Sequence, residues 1–196
     1  MSIEVILTFL STCSLEKKLE FQVAAQCAPV LKGIKVSNLI TLRQGSFKAI
    51  RRYLVESRVT AAPLYTGHGR EILFLYRYDA LELYLQRPEV RAFLEQFGYR
   101  DWSVSGALIR MRKRYAAYME KHWEFPHELG VLLEYPVEDV EGFIKNRGEN
   151  CLTERYWKVY HNKERAEETF RLYDQVKETA MREIVFGADL KDVAVM

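Results

Sequence analysis

A chain of 196 residues, 48% hydrophobic and 13% aromatic, can build one packed domain without disulfides or a structural metal. Its 29 basic and 27 acidic side chains leave a formal charge of +2, which excludes the polyelectrolyte character of a nucleic-acid-coating protein but not a local basic patch. Three cysteines, an odd number without CxxC spacing, exclude a secreted disulfide framework.

Residues 3–10, IEVILTFL, are apolar, yet they include Glu4, lack a basic leader and are too short to span a bilayer. They are expected to be a core element. No other stretch approaches 18 uncharged apolar residues, so the protein is expected to be soluble and cytoplasmic, with no membrane partner. Ser14 reads as an N-cap, and Leu15, Leu19, Val23 and Cys27 follow at helical spacing until Pro29. Residues 33–42 end in a short strand. Gly45-Ser46 opens a helix that buries Phe47, Ile50 and Leu54.

Residues 60–66 and 71–78 read as two strands joined by Gly67-His68-Gly69-Arg70, a β-hairpin. The second strand is apolar on both faces, as an interior strand should be. Asp79 is expected to cap a short helix. Pro88 starts another, with Val90, Phe93, Leu94 and Phe97 inward and Gly98 as its stop. Residues 103–122 form a long amphipathic helix, and two shorter helices follow around 127–133 and 137–145, broken at Tyr135-Pro136. Residues 156–160 read as a last strand. Asn162 then caps a terminal helix with Ala166, Phe170, Tyr173, Ala180 and Ile184 inward. The expected fold is a single α+β domain over residues 1–196, a small mixed or antiparallel sheet with a hairpin, surrounded by amphipathic helices.

Several motifs recur together: Cys27-Ala28-Pro29 with Gly33-Ile34-Lys35 and Asn38-Leu39; Phe125-Pro126-His127-Glu128-Leu129-Gly130; and Tyr135-Pro136 through Asp139-Val140-Glu141-Gly142-Phe143-Ile144 to Asn150-Cys151 and Tyr156-Trp157-Lys158-Val159-Tyr160. With them the chain resembles a bacterial family, common in anaerobes, that is catalogued only as a domain of unknown function. The resemblance implies no activity. It does imply a small residue before the Tyr-Trp-Lys run, where this chain has Arg155, a departure that would alter ligand or activity if the position faces a site.

Cys27, His127 and Cys151 are the candidates for chemistry. A thiolate needs a neighbouring base or cation, which His supplies, and the same residue types bind metals. Cys27 sits on an apolar stripe where a buried inert thiol is ordinary, whereas Cys151 follows a polar loop. His127 opens a helix whose N-terminus disfavours the imidazolium, although Pro126-His127-Glu128 is also an ordinary helix start. His127-Glu128 has no second His for HExxH, and GxSxG is absent. The helical pair after Leu129 imitates a DNA-reading unit but carries Glu138, Asp139 and Glu141 where reading residues belong, so it is an αα-hairpin.

Arg43, Lys48, Arg51, Arg52 and Arg58 surround the Gly45-Ser46 helix start. There Arg43, Ser46 and Arg51 could hold an anion, although charged faces are usually only solvated. Arg110, Lys113, Arg114 and Lys121 line the outer side of the long helix. Tyr76, Arg77, Trp157 and Lys158 lie in aromatic runs that could wall a flavin or haem or pack a sheet edge. No GxGxxG, P-loop or CxxCH signature names a cofactor. The leading expectation is therefore a Cys/His site for a small ligand, metal or redox cofactor. In it Cys151 is nucleophile or ligand, His127 is base or ligand, Asn150 orients one of them, and Cys27 completes the set. The alternatives are a non-catalytic interaction or regulatory protein with structural cysteines and, behind it, a nucleic-acid binder.

Overall fold

The computed structural model describes residues 1–121 and 124–194. Its organising element is the strand β3 (Arg70–Arg77), buried from Glu71 to Tyr76. A strand apolar on both faces needs cover above and below and partners on both edges. β1 (Ser37–Arg43) and β2 (Val59–Gly67) pair antiparallel with it, in the order β1-β3-β2. The β2–β3 turn places His68 (φ 53) and Gly69 (φ 72) in left-handed backbone, the geometry that suits a two-residue hairpin. Pro63, which cannot donate to a ladder, lies on the edge strand at a register shift.

Alternation along β3 divides the core. Leu73 and Leu75 point to one face, with Ile40, Leu42, Val59 and Ala61. That face is covered by α2 (Leu15–Leu31), α3 (Phe47–Tyr53), α10 (Leu190–Val193) and the second half of α9 (Lys163–Val185). Ile72, Phe74 and Tyr76 point to the other face. There α4 (Tyr78–Leu85), α5 (Pro88–Glu95), α6 (Val104–Met119), α7 (Leu129–Leu132) and α8 (Val137–Lys145) cover them. A third cluster forms where the short hairpin β4 (Thr153–Glu154) and β5 (Lys158–Val159) lies on the first half of α9, burying Trp157, Val159, Phe170 and Tyr173. All five predicted inward positions of α9 are buried, and Asn162 caps it by accepting from Arg165 N at 3.2 Å. The architecture is α+β, with helices around a small antiparallel sheet.

Several expectations need correction. Residues 3–10 are not core: α1 (Ile3–Thr12) buries none of its residues, and Ile3, Val5 and Leu7 are exposed. A helix apolar on all sides can turn only one face to the body, here Ile6, Phe9 and Leu10. α2 does not stop at Pro29 but continues to Leu31, because a proline in the last turn forfeits a single backbone bond. The Pro29 carbonyl then accepts from Ile34 N (2.8 Å) and Lys35 N (3.1 Å), and Gly33 (φ 71) makes the turn. α4 begins at Tyr78, so Asp79 lies in its first turn rather than at its cap.

The predicted last strand shrinks to Lys158–Val159, because Arg155 N bonds back to the Trp157 carbonyl and closes a tight turn. The helix expected over residues 103–122 begins one residue later, with Ser103 as its N-cap, and His122, its predicted end, lies outside the described residues. Among the described residues, no helix is long and apolar enough to cross a membrane.

α8 lies close against the end of the short hairpin. A Cβ added at Gly142 would stand 2.5 Å from Tyr160 Cβ, too near the backbone for an easy shift. Gly142→Ala is therefore expected to lower stability by about 1–3 kcal/mol through overpacking, despite the helix propensity of alanine. Urea denaturation checks this, and an unchanged midpoint would mean the hairpin is free to retreat.

Candidate functional site

Three carboxylates place the αα-hairpin of α7 and α8. Glu128, just before α7, is 0% exposed and holds the Arg114 guanidinium of α6 in a two-pronged ion pair, with Nη2 to Oε2 at 3.3 Å. Glu134, between the helices at φ 58, accepts from Val36 N at 2.7 Å and so ties the hairpin to the α2–β1 connection. Asp139, in the first turn of α8 and 2% exposed, accepts from Trp157 Nε1 (2.7 Å), Tyr160 N (2.7 Å) and His161 N (2.8 Å). Of the acids expected on the outside of this hairpin, Asp139 instead turns inward and fastens the β4–β5 hairpin.

Between the two hairpins lies an apolar cleft of about 380 Å³. Phe125 and His127 form one wall, Val140 and Phe143 of α8 another, and Tyr135 with Trp157 a third. Tyr135 and Trp157 stack with centroids 5.2 Å apart and planes at 25°. The His127 ring sits 5.5 Å from Phe125 and 5.3 Å from Phe143, and neither of its nitrogens hydrogen-bonds to a described residue. Burial lowers its pKa, against the raising pull of Glu128 and Glu124. Burial, more than the start of a four-residue helix, therefore favours the neutral imidazole. At the rim, Lys158 Nζ donates to the Gly148 carbonyl (2.8 Å), and Arg155 bonds Asp174 (2.7 Å).

Behind the Tyr135–Trp157 wall opens a second, more polar cleft of about 520 Å³. Tyr84, Arg87, Glu134, Arg165 and Tyr173 line it, with Glu89 and Glu138 among its acids. Beside it Lys35 is 5% exposed, with Nζ 5.1 Å from the Tyr135 ring centre and 5.9 Å from that of Tyr173.

His127, Trp157 and Lys158 line the first cleft together. Asn150 (φ 55) and Cys151 lie in the loop after α8 and are not part of that lining; Asn150 is exposed and Cys151 half-buried. Cys27 is fully buried in α2, on the face that Leu73 and Leu75 share. Its Sγ accepts from Asn38 Nδ2 at 3.4 Å, and burial pushes the thiol up to about 11, so it is a poor nucleophile. Among the described residues, no group of three or more His, Cys, Asp or Glu is placed to hold a metal ion.

Tyr76 packs into the core, and the Arg77 guanidinium lies against Gly33 and the Leu31 carbonyl. Around α3, Arg43 is exposed and faces Arg70 across the sheet, Arg51 lies over the Phe47 ring, and Ser46 makes no side-chain cap. Phe47 N donates to the Glu71 carboxylate (2.8 Å), so an acid of the chain itself occupies that helix start.

The residues that sequence reasoning passed over are Phe125, Tyr135, Phe143 and Lys35. All belong to the motifs that carried the resemblance, but no spacing rule marks them, because they converge from four separate segments. No curated protein and no solved structure is similar to the chain. A family model does match it over residues 23–194, nearly all of the fold from the middle of α2 to the end of α10, and the chain belongs to that family, described as a protein of unknown function, DUF3793.

Proposed function

We propose that the protein binds a flat, mostly apolar small molecule in the aromatic cleft, with His127 reading its hydrogen-bonding group. The observation that carries this reading is a half-buried imidazole held between two phenylalanines with no hydrogen-bond partner among the described residues. A polar group inside an apolar wall is costly unless a ligand satisfies it, and convergence of one such group with aromatic faces is how small-molecule sites obtain specificity. The volume suits a molecule of one or two fused rings. At the rim Lys158 and Arg155 are already paired with Glu154 (3.6 Å) and Asp174 (2.7 Å), so an anionic substituent would compete with those acids. In this reading His127, Trp157 and Lys158 serve the ligand, while Cys27, Asn150 and Cys151 do not touch it. The three unpaired thiols are consistent with action in the reducing cytoplasm.

The test compares 1-naphthol with 1-methylnaphthalene, which match in shape but not in hydrogen bonding, by calorimetry and by NMR of the His127 ring. The naphthol is expected to bind about fivefold tighter, the worth of one net hydrogen bond of about 1 kcal/mol. His127→Phe should erase that preference while retaining the hydrocarbon. A preference that survives His127→Phe, or probes that leave the Trp157 and Phe143 resonances unmoved, would sink the reading.

A further inference from the structure

Lysine is rarely buried without a carboxylate beside it, because the ammonium loses its hydration. Lys35 is such a case: among the described residues no acid stands within ion-pair distance of its Nζ. Its Nζ donates to Asn38 Oδ1 at 3.1 Å and stands 5.1 Å and 5.9 Å from the ring centres of Tyr135 and Tyr173. The backbone around it is fixed. Lys35 N donates to the Pro29 carbonyl, Val36 N to Glu134, and the Val36 carbonyl accepts from Arg77 N. Both tyrosines, with Ile34 and Glu134, line the polar cleft, so the amine stands just behind its wall.

We propose that Lys35 is a Schiff-base-forming amine, and that the polar cleft admits a small aldehyde or ketone bearing an anionic group. This site is distinct from the aromatic cleft and shares only the Tyr135–Trp157–Asp139 wall with it. Burial lowers the Lys35 amine to about 8, against the raising influence of Glu134, so a useful share of it is neutral and nucleophilic near neutrality. The lone pair of Nζ attacks the carbonyl carbon, a C–N bond forms, the carbonyl π pair moves to oxygen, and one proton passes from nitrogen to that oxygen. The carbinolamine oxygen takes up a second proton and leaves as water as its C–O bond breaks, the nitrogen lone pair forms the C=N bond, and nitrogen releases its second proton to leave the imine. Amine and carbonyl compound give imine and water, with no oxidant or reductant.

Glu134 lines the same cleft and supplies the carboxyl group that exchanges protons with the departing oxygen. Arg87 and Arg165 line the cleft without an ion pair among the described residues and supply the charge for the anionic group. Lys35 itself does not line the cleft, so its side chain must move between the Tyr135 and Tyr173 rings to meet the carbonyl.

The experiment treats the full chain at about pH 8 with glyoxylate and borohydride, which reduces any imine to a stable secondary amine, and maps the modified lysine by peptide mass spectrometry. Lys35 is expected to be carboxymethylated about tenfold faster than the surface lysines, whose ordinary pKa leaves them almost wholly protonated. Lys35→Met should remove the fast phase alone. Propanal, which lacks the anion, should label Lys35 more slowly, and Arg87→Ala should slow glyoxylate without affecting propanal. Lys35 labelling at or below the surface rate would overturn the proposal. Equal rates with glyoxylate and propanal would overturn its anionic half.

Discussion

Arg114→Ala lowers stability by about 3–5 kcal/mol, the expected cost of stripping the partner from a carboxylate that has no solvent access. For a chain of this size the melting temperature then falls by roughly 6–20 °C. Arg114 is partly exposed, but Glu128 is not, and water cannot take the place of the guanidinium. The buried Tyr99 hydroxyl has no hydrogen-bond partner among the described residues. Removing both charges behaves differently: the double variant Arg114→Met/Glu128→Leu should recover most of the loss, since neither desolvation nor attraction then remains. Urea midpoints for the single and double variants measure this. A single variant as stable as the parent would show that water reaches Glu128. Because Glu128 follows His127 directly, Arg114→Ala should also weaken naphthol selectivity.

Asp139→Ala is expected to cost about 3 kcal/mol, and its signature is local. The substitution leaves three donors without an acceptor, the Trp157 indole N–H and the backbone N–H groups of Tyr160 and His161. Water can reach the two backbone groups more easily than the indole, so the penalty stays below the sum of three buried losses. Asp139→Asn keeps a carbonyl oxygen for the backbone pair but turns an amide N–H₂ toward the indole, and should lose about half as much. Trp157 emission, obtained by difference against Trp157→Phe, should shift to the red as the stacked Tyr135–Trp157 wall loosens. An unchanged spectrum with an unchanged urea midpoint would mean that packing on Phe170, at 4.5 Å, holds the indole without Asp139.

The candidate site was legible in part. The residue types and motif positions of His127, Trp157 and Lys158 mark them in the sequence, and one cleft contains all three. The basic stripe on α6 looked solvated, yet Arg110 turns to the Phe97 carbonyl (2.7 Å) and Arg114 to Glu128. A long arginine can fold its head inward from a helix flank, which helical spacing does not encode. Nothing in the sequence marks Lys35 as buried, because Tyr135 and Tyr173, which pack beside its amine, come from distant segments.

By itself the sequence determined the elements whose causes are local. Ser14 and Asn162 cap their helices by accepting a bond three residues on. The β2–β3 turn needed only left-handed backbone at His68 and Gly69, and the α9 stripe needed only helical periodicity. The tertiary structure decided what depends on a distant partner. The bare face of α1, the shortening of the last strand, the inward turn of Asp139 and the desolvation of Lys35 each follow from which segments pack together. Burial and charge pairing are properties of a neighbourhood, and in this chain the neighbours of Asp139 and Glu134 come from segments about 20 and about 100 residues away.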